Sequence, residues 1–259
     1  MPRIKLVLEY DGTDYVGWQT QANGRSIESC VQAALDKLLA EKVQLEAATR
    51  TDSGVHALGQ VACFTTSREL PMKAYWMGLS DLLPRDIAIV DAAEVAEDFD
   101  PRRDSEGKRY RYLISNRKAR SPTRRRSHWE IFQPLDFDSM RRGAESLVGE
   151  YDFSAFQAAD CQASHPRRTV RSLEVERGGE DELAIFIEGT AFLKHMVRNI
   201  VGSLVEVGRG RRPPEWIGQV LQSRDRTLAG PTAPAHGLTL VEVLYASGSA
   251  PAHPFRLRR

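Results

Sequence analysis

The order in which extended and helical patterns alternate along the first hundred residues limits the fold more than any single motif. Apolar runs and period-two alternation predict strands, and apolar residues repeated every three or four positions predict helices. The predicted elements are, in order, a strand at 3–10, a helix capped by Ser26, strands from Val43 and at 60–66, a helix from Pro71 to about Leu83, and a strand at 87–95. This is the split βαβ order, in which the strands form one sheet with both helices on one face.

The second part of the chain has a partly similar order. Strands are predicted at 109–115, 170–176 and 183–188, helices at 138–148 and 192–207, and a last helix and strand at 213–221 and 238–245. We therefore predict an α/β (α+β) fold with two split-βαβ, ferredoxin-like domains and largely antiparallel sheets, at residues 1–105 and 106–247. Residues 248–259, rich in Pro and basic residues, are expected to form a loosely ordered tail.

The composition indicates a soluble globular protein. A chain of 259 residues with 41% hydrophobic content can bury a substantial core. The first ten residues lack a cleavage pattern and no long apolar segment follows, so neither secretion nor membrane insertion is expected. The three cysteines have spacings unlike a disulfide or metal framework, which suits the reducing cytoplasm: Cys30, Cys63 and Cys161.

The charge is distributed unevenly along the chain. Residues 1–101 hold nine Lys and Arg against sixteen Asp and Glu, a net charge of −7, whereas the remainder carries 27 against 19, a net charge of +8. The densest basic stretch is 102–126, where Tyr110 and Tyr112 are interleaved and Trp129 follows. Basic runs are usually solvated faces, but interleaved aromatic residues favour contacts to RNA phosphates and bases.

One stretch, ATRTDSGVHALGQVACF at 48–64, combines residues suited to catalysis. Asp52 follows Arg50 by two positions, so an extended chain would place both side chains on one side, where they can pair. Carboxylates on loops between strands are common catalytic groups. On these residues alone, however, Asp52, Ser53 and Gly54 also fit an ordinary structural turn.

RTDSGVHA resembles the signature of the tRNA pseudouridine synthase A family, in which the aspartate is the nucleophile. Four more motifs of that family follow its order and extend to about Tyr245: EYDGTDYVGWQ from Glu9, KRYRYLISN from Lys108, FLKHMVRNIVGSL from Phe192 and DRTLAGPTAPAHGLTL from Asp225. The resemblance implies two α/β domains whose sheets join around a basic central cleft, a homodimer, and no cofactor. It further implies isomerisation of uridine to pseudouridine at positions 38 to 40 of the tRNA anticodon arm.

The resemblance also assigns roles to residues. It makes Asp52 the nucleophile, Tyr110 the ring that stacks on the target base, and Arg198 a basic residue beside the aspartate. Arg50 is placed to fill the position that a flipped base leaves. Lys194, four positions before Arg198, is predicted to share its helix face. Further RNA contacts are expected at Arg68, Phe99, Asp100, Arg102, Arg103, Lys118, Trp129, Cys161 and Gln162.

Three positions depart from the family pattern, and two other functions stay open. Thr49 stands where Gly usually precedes the arginine, Arg103 where an aromatic residue is common, and Gln157 where an Arg often occurs.

A non-catalytic RNA-binding protein would keep its affinity without Asp52 and leave RNA unchanged. A nucleoside hydrolase would release free uracil. His56 and His195 have no third ligand at metal spacing, so no metal is predicted.

Overall fold

The computed structural model describes residues 1–179 and 181–246, which form two compact units. Of the described residues, the first unit comprises Met1–Glu106 and 240–246, and the second is Gly107–Thr239. The last strand, β10 (Leu238–Tyr245), hydrogen-bonds to a strand of the first unit. Residues 240–246 therefore belong to the first unit and not, as predicted, to the second. The predicted tail, 248–259, lies outside the described residues.

The first unit is a split βαβ sheet. Its strands run in the order β4-β1-β3-β2 and pair antiparallel, with β10 also beside β3. The elements are β1 (Arg3–Tyr10), α1 (Ile27–Leu39), β2 (Glu46–Ala47), β3 (His56–Thr65), a π-helical turn (Ala74–Gly78), α2 (Leu79–Leu82) and β4 (Ile87–Val95).

Helix α1 forms where its cap and apolar stripe predict it. The Ser26 hydroxyl accepts from the Ser29 backbone N–H at 3.1 Å, and the Ser29 hydroxyl is 3.2 Å from the Ser26 N–H, which completes a reciprocal capping box. The stripe is buried at Ile27, Val31, Ala34, Leu35 and Leu39. The predicted core face of this helix is confirmed.

The second unit has strands in the order β5-β9-β8-β7, all antiparallel, with short β6 parallel to β5. The elements are β5 (Ser105–Asn116), β6 (Trp129–Ile131), α3 (Phe137–Glu145), β7 (Gly149–Asp152), β8 (Arg167–Arg177), β9 (Glu182–Gly189), α4 (Met196–Gly208) and α5 (Trp216–Ser223). The predicted α/β class with largely antiparallel sheets is confirmed. Within the described chain, no helix is long and apolar enough to cross a membrane.

Several predicted elements have different limits. Helix α4 begins at Met196 and not at Phe192, because His195 adopts a left-handed conformation (φ 61°) that a continuous helix excludes. Lys194 therefore precedes the helix, does not share a face with Arg198, and pairs with Asp160 at 2.5 Å. The strand expected from Val43 is reduced to two residues, and β6 and β7 were not predicted.

Helix α4 packs unusually closely on the segment that follows α5. A Cβ atom at Gly202 would lie 1.7 Å from the carbonyl oxygen of Pro231, and one at Gly230 would lie 2.7 Å from the Cα of Ser203. The Gly230 N–H also donates to the Ser203 hydroxyl at 2.9 Å. Glycine at these two positions lets the backbone of the segment lie directly on the helix.

We expect Gly202→Ala to lower the free energy of unfolding by about 1–3 kcal/mol, because the new methyl group must displace the Pro231 backbone. Gly218→Ala is the matched control in helix α5, since its Cβ would lie 3.6 Å from the Ser146 side chain, an ordinary contact. Alanine there should raise stability by up to about 1 kcal/mol. Urea unfolding of both variants checks the difference, and equal stabilities would contradict it.

Candidate active site

Asp52 lies on a tight loop between β2 and β3, which we call the Asp52 loop (residues 48–55). The Val55 N–H donates to the Asp52 carbonyl oxygen at 3.1 Å and closes a turn. Gly54 has a φ of 78° at the third position of this turn, where a residue without Cβ is favoured. The predicted turn chemistry is confirmed, and it leaves the Asp52 side chain half-buried.

A second loop, residues 11–25, fixes the Asp52 loop through its backbone, and we call it the bracing loop. The Trp18 N–H donates to the Thr51 carbonyl oxygen at 3.1 Å, and an isolated antiparallel bridge joins Gly17 to Asp52. The Ser53 hydroxyl donates to the Tyr15 carbonyl oxygen at 3.0 Å. Gly17 has a φ of 109°, and a Cβ there would lie 2.6 Å from the Thr51 oxygen. Only glycine fits this contact without displacement.

The bracing loop is itself held to the unit. The Tyr15 hydroxyl donates to the Asp86 carboxylate at 2.5 Å, and the Arg25 guanidinium lies 5.2 Å from the centre of the Tyr15 ring. Burial, followed by the bond to Asp86, raises the pKa of Tyr15 well above its ordinary value, so the hydroxyl stays a donor. The N–H of Ile27, at the start of α1, donates to the Gly17 carbonyl oxygen at 3.1 Å.

Smaller contacts complete the setting of the Asp52 loop. The hydroxyls of Tyr10 and Thr51 are 2.9 Å apart, and the Gly12 N–H donates to Nδ1 of His56 at 3.1 Å. Sequence reasoning assigned no role to the residues of the bracing loop, although the motif from Glu9 marks it. Within residues 1–179 and 181–246, no cluster of three or more His, Cys, Asp or Glu side chains could hold a metal ion.

The predicted pairing of Arg50 with Asp52 assumed an extended chain and stays a prediction. Arg50 is exposed. The chain between β2 and β3 is not a strand, so the alternation that would put residues two apart on one side does not apply. Arg50 is thus a solvent-exposed residue of the Asp52 loop itself.

In the second unit, Tyr110 and Tyr112 lie on one face of β5, as their spacing predicts. Tyr110 is 7% exposed and meets the ring of Phe192 edge-on at 5.2 Å. Tyr112 is fully buried, and its hydroxyl donates to the Pro234 carbonyl oxygen at 2.8 Å. Burial raises the pKa of Tyr112 far above its ordinary value. The second tyrosine is therefore a structural anchor.

Arg198, near the start of helix α4, is fixed by the segment that packs on the helix. Its Nε donates to the Ala233 carbonyl oxygen at 2.8 Å, and the Ala233 N–H donates to the Arg198 carbonyl oxygen at 3.1 Å. Arg226 holds the same segment in place, because its guanidinium donates to the Gly230 carbonyl oxygen at 3.0 Å and to Oδ1 of Asn199 at 3.1 Å. The motif from Asp225 thus supports Arg198.

The predicted RNA-contact segment, residues 99–103, is folded on itself. Phe99 is 7% exposed and packs 5.3 Å from the ring of Tyr245. The N–H groups of Arg103 and Arg102 donate to the Asp100 carboxylate at 2.8 Å each and hold its pKa below the ordinary value. Arg103 is tied to Asp104 at 3.0 Å, whereas the Arg102 side chain is exposed.

The other predicted contacts differ in how available they are. The Arg68 Nε donates to the Leu39 carbonyl oxygen at 2.9 Å, so this side chain caps the C-terminus of α1. Trp129 lies half-buried between Tyr112 and Arg209, at 6.3 Å and 5.9 Å. Lys118 and Gln162 are exposed, and Cys161 is half-buried.

Comparison with known proteins gives these features a family. The family model described as tRNA pseudouridine synthase matches residues 6–103 and 144–246, which contain Asp52 and Arg198. A tRNA pseudouridine synthase A of Myxococcus xanthus is 62% identical over 248 residues, covering 96% of this chain and 94% of the relative. One of Geotalea uraniireducens is 48% identical over 245 residues, covering 95% and 100%. The chain therefore belongs to the tRNA pseudouridine synthase family and is an isomerase that acts on tRNA.

Proposed function

We propose that this enzyme converts uridine to pseudouridine at positions 38 to 40 of the tRNA anticodon arm, with Asp52 as the nucleophile. The observation that carries the proposal is the Asp52 loop, in which backbone contacts from the bracing loop fix a half-buried carboxylate. A nucleophile needs a defined direction of attack, and a loop held by its own backbone supplies one. The family resemblance supports the choice of target.

The reaction exchanges one bond at the ribose for another. As the bond from C1′ to N1 of uracil breaks, positive charge develops on the sugar, and the Asp52 carboxylate bonds to C1′ while uracil leaves with the electron pair. The base then turns, its C5 attacks C1′ and displaces the carboxylate. C5 loses its proton to a base, and N1 gains one. Since atoms and electrons balance without water or a redox partner, one carboxylate suffices.

A paired uridine must leave its stem before the carboxylate can reach C1′, at a cost of a few kcal/mol. We assign to Arg50 the role of filling the vacated position, because it is an exposed residue of the Asp52 loop, two positions before Asp52. Tyr110 is assigned the stacking surface for the flipped base, and its contact with Phe192 orients the ring. Arg198, held at Ala233, is assigned a supporting charge in the same reaction. Catalysis by a homodimer is part of the proposal, and light scattering tests it.

Asp52→Asn should abolish pseudouridine formation on an unmodified tRNA transcript, because an amide cannot replace the carboxylate at C1′. The affinity for tRNA should stay within a few-fold of wild type, since phosphate contacts supply most of the binding. Asp81→Asn, at an exposed position of α2, is the control and should be fully active. Pseudouridine mapped above background in the Asp52 variant would contradict the nucleophile, and release of free uracil by the wild type would indicate a hydrolase.

Gly17→Ala should lower the rate by roughly 10²-fold, because a Cβ at 2.6 Å from the Thr51 oxygen must move the Asp52 loop. Gly210→Ala is the control: Gly210 also has a positive φ, 69°, but a Cβ there meets nothing within 4 Å. The control variant also places an alanine at a positive φ, but its new methyl group collides with no other atom. Single-turnover rates at saturating enzyme measure the effect, and equal rates in the two variants would show that the bracing contact does not position Asp52.

We assign to the Tyr110 hydroxyl the transfer of the C5 proton. Tyr110→Phe should therefore lower the rate by roughly 10²-fold while binding changes little. The stack on the base is kept in this variant. Tyr112→Phe, two residues along the same face of β5, is the matched control. It loses the bond to Pro234 and about 1 kcal/mol of stability but should keep its rate. Full turnover by Tyr110→Phe would rule out proton transfer by the hydroxyl and leave Tyr110 the stacking role alone.

A further inference from the structure

The chain between β5 and β6, residues 117–128, is the most basic short segment of the protein, and we call it the basic segment. It contains six Lys and Arg residues and one His, and no Asp or Glu. It lies between the two ranges that the family model matches. A run of like charges repels itself and extends in water unless it is held.

The backbone of the basic segment is nevertheless folded into consecutive turns. The Arg124 N–H donates to the Ser121 carbonyl oxygen at 3.1 Å, and the N–H groups of Ser127 and His128 donate to the Arg124 carbonyl oxygen at 3.0 Å and 2.9 Å. The Ser121 N–H donates to the carboxylate of Glu130, on β6. These bonds give the segment a defined shape in which successive side chains point in different directions.

Three basic side chains of the segment are held by acidic residues at the start of β9. The His128 Nε2 lies 2.9 Å from the Glu182 carboxylate, and the Arg124 Nη2 lies 3.6 Å from the same oxygen. Arg117 lies 4.0 Å from Asp181. The His128 side chain is only 9% exposed. Glu182 is therefore the principal attachment of the segment to the sheet of the second unit.

Three of the four other basic side chains of the segment have a different environment. Lys118, Arg120 and Arg125 are exposed. Within the described chain, no carboxylate lies within ion-pairing distance of any of the three; the one contact found is from Arg125 to the Pro122 carbonyl oxygen at 2.8 Å. Exposed cations on a backbone of fixed shape suit the phosphates of a nucleic acid.

We propose that the basic segment is a preformed RNA-binding surface in which Lys118, Arg120 and Arg125 contact phosphates, and that Glu182 is the residue that positions it. Glu182 itself does not touch RNA. Its carboxylate holds His128 and Arg124 inward, and this holds Lys118, Arg120 and Arg125 outward. The inference rests on tRNA as the substrate of the proposed function but not on the nucleophile, so binding alone tests it.

Glu188 provides a matched comparison for Glu182. Both lie on β9, six residues apart and thus on the same face of the sheet. Glu188 also pairs with two arginines, Arg109 at 2.7 Å and Arg171 at 3.7 Å, and the two glutamate side chains are 18% and 23% exposed. The arginines of Glu188 belong to strands β5 and β8, however, and not to the basic segment. Replacing Glu188 by Gln therefore changes the net charge by the same amount as Glu182→Gln but leaves the basic segment attached to the sheet.

The direction in which Glu182→Gln changes the affinity for tRNA distinguishes a positioning role of Glu182 from a simple effect of net charge. Glu182→Gln raises the net charge by one, which alone would strengthen the binding of an unmodified tRNA transcript. We expect weaker binding instead, by roughly threefold or more, because the phosphate-binding side chains lose their fixed arrangement. Turnover at saturating tRNA should stay unchanged, and trypsin should cut within residues 117–126 faster than in wild type. Glu188→Gln should bind at least as tightly as wild type and resist trypsin normally.

Two further measurements complete the test. Lys118→Ala and Arg120→Ala should each reduce the slope of log affinity against log salt by about one.

His128→Ala removes the attachment from the other side and should reproduce the weaker binding and the faster cleavage even if Glu182→Gln fails to fold. Unchanged salt slopes in both lysine and arginine variants would overturn the RNA-binding surface. Wild-type affinity or tighter binding with normal trypsin resistance, in whichever attachment variant folds, would overturn the positioning role. Neither result depends on whether Asp52 is the nucleophile.

Discussion

Two backbone segments of the first unit meet so closely at Gly17 and Thr51 that no side chain fits between them. The contact is made of N–H and carbonyl groups, which are more rigid than side chains because they belong to the chain itself. It joins the bracing loop to the Asp52 loop, and Tyr15, Asp86 and the start of α1 hold the bracing loop in turn. The position of the Asp52 carboxylate therefore depends on residues far from it in sequence, and the motif from Glu9 supports the motif that contains Asp52.

The second unit uses the same principle. Glycine at position 202 lets the backbone near Pro231 lie on helix α4, and that backbone then accepts hydrogen bonds from Arg198 and Tyr112. The buried Tyr112 hydroxyl is satisfied by a carbonyl oxygen and needs no charged partner. Arg226 is buried enough to lower the pKa of its guanidinium, yet its partners are two carbonyl-type oxygens and a hydroxyl. Neutral oxygens therefore satisfy both of these side chains.

Sequence patterns predicted the elements whose side chains alternate against one core. The strands at 3–10, 87–95 and 238–245 have the predicted limits, because each is bounded by turn-forming residues. Helix α4 was predicted to begin four residues too early, since apolar spacing continues across His195 and cannot reveal its left-handed backbone. The strand expected before Asp52 is shortened for a related reason: a tertiary contact with Gly17, invisible in local spacing, shapes the Asp52 loop. Motifs located the aspartate, while the geometry that holds it required the fold.

Counting basic residues overstates how many can bind RNA, because acidic neighbours divide them into two groups. Arg109 is held by Glu188, Arg103 by Asp104, and Arg124 by Glu182. A guanidinium that already faces a carboxylate must exchange that partner for a phosphate, so its net contribution to binding is small. Lys118 and Arg102, in contrast, face solvent and gain a partner without losing one. The acidic residues placed between these arginines therefore determine the shape of the positive surface as much as the arginines themselves, and an anion-binding surface of defined shape needs carboxylates to build it.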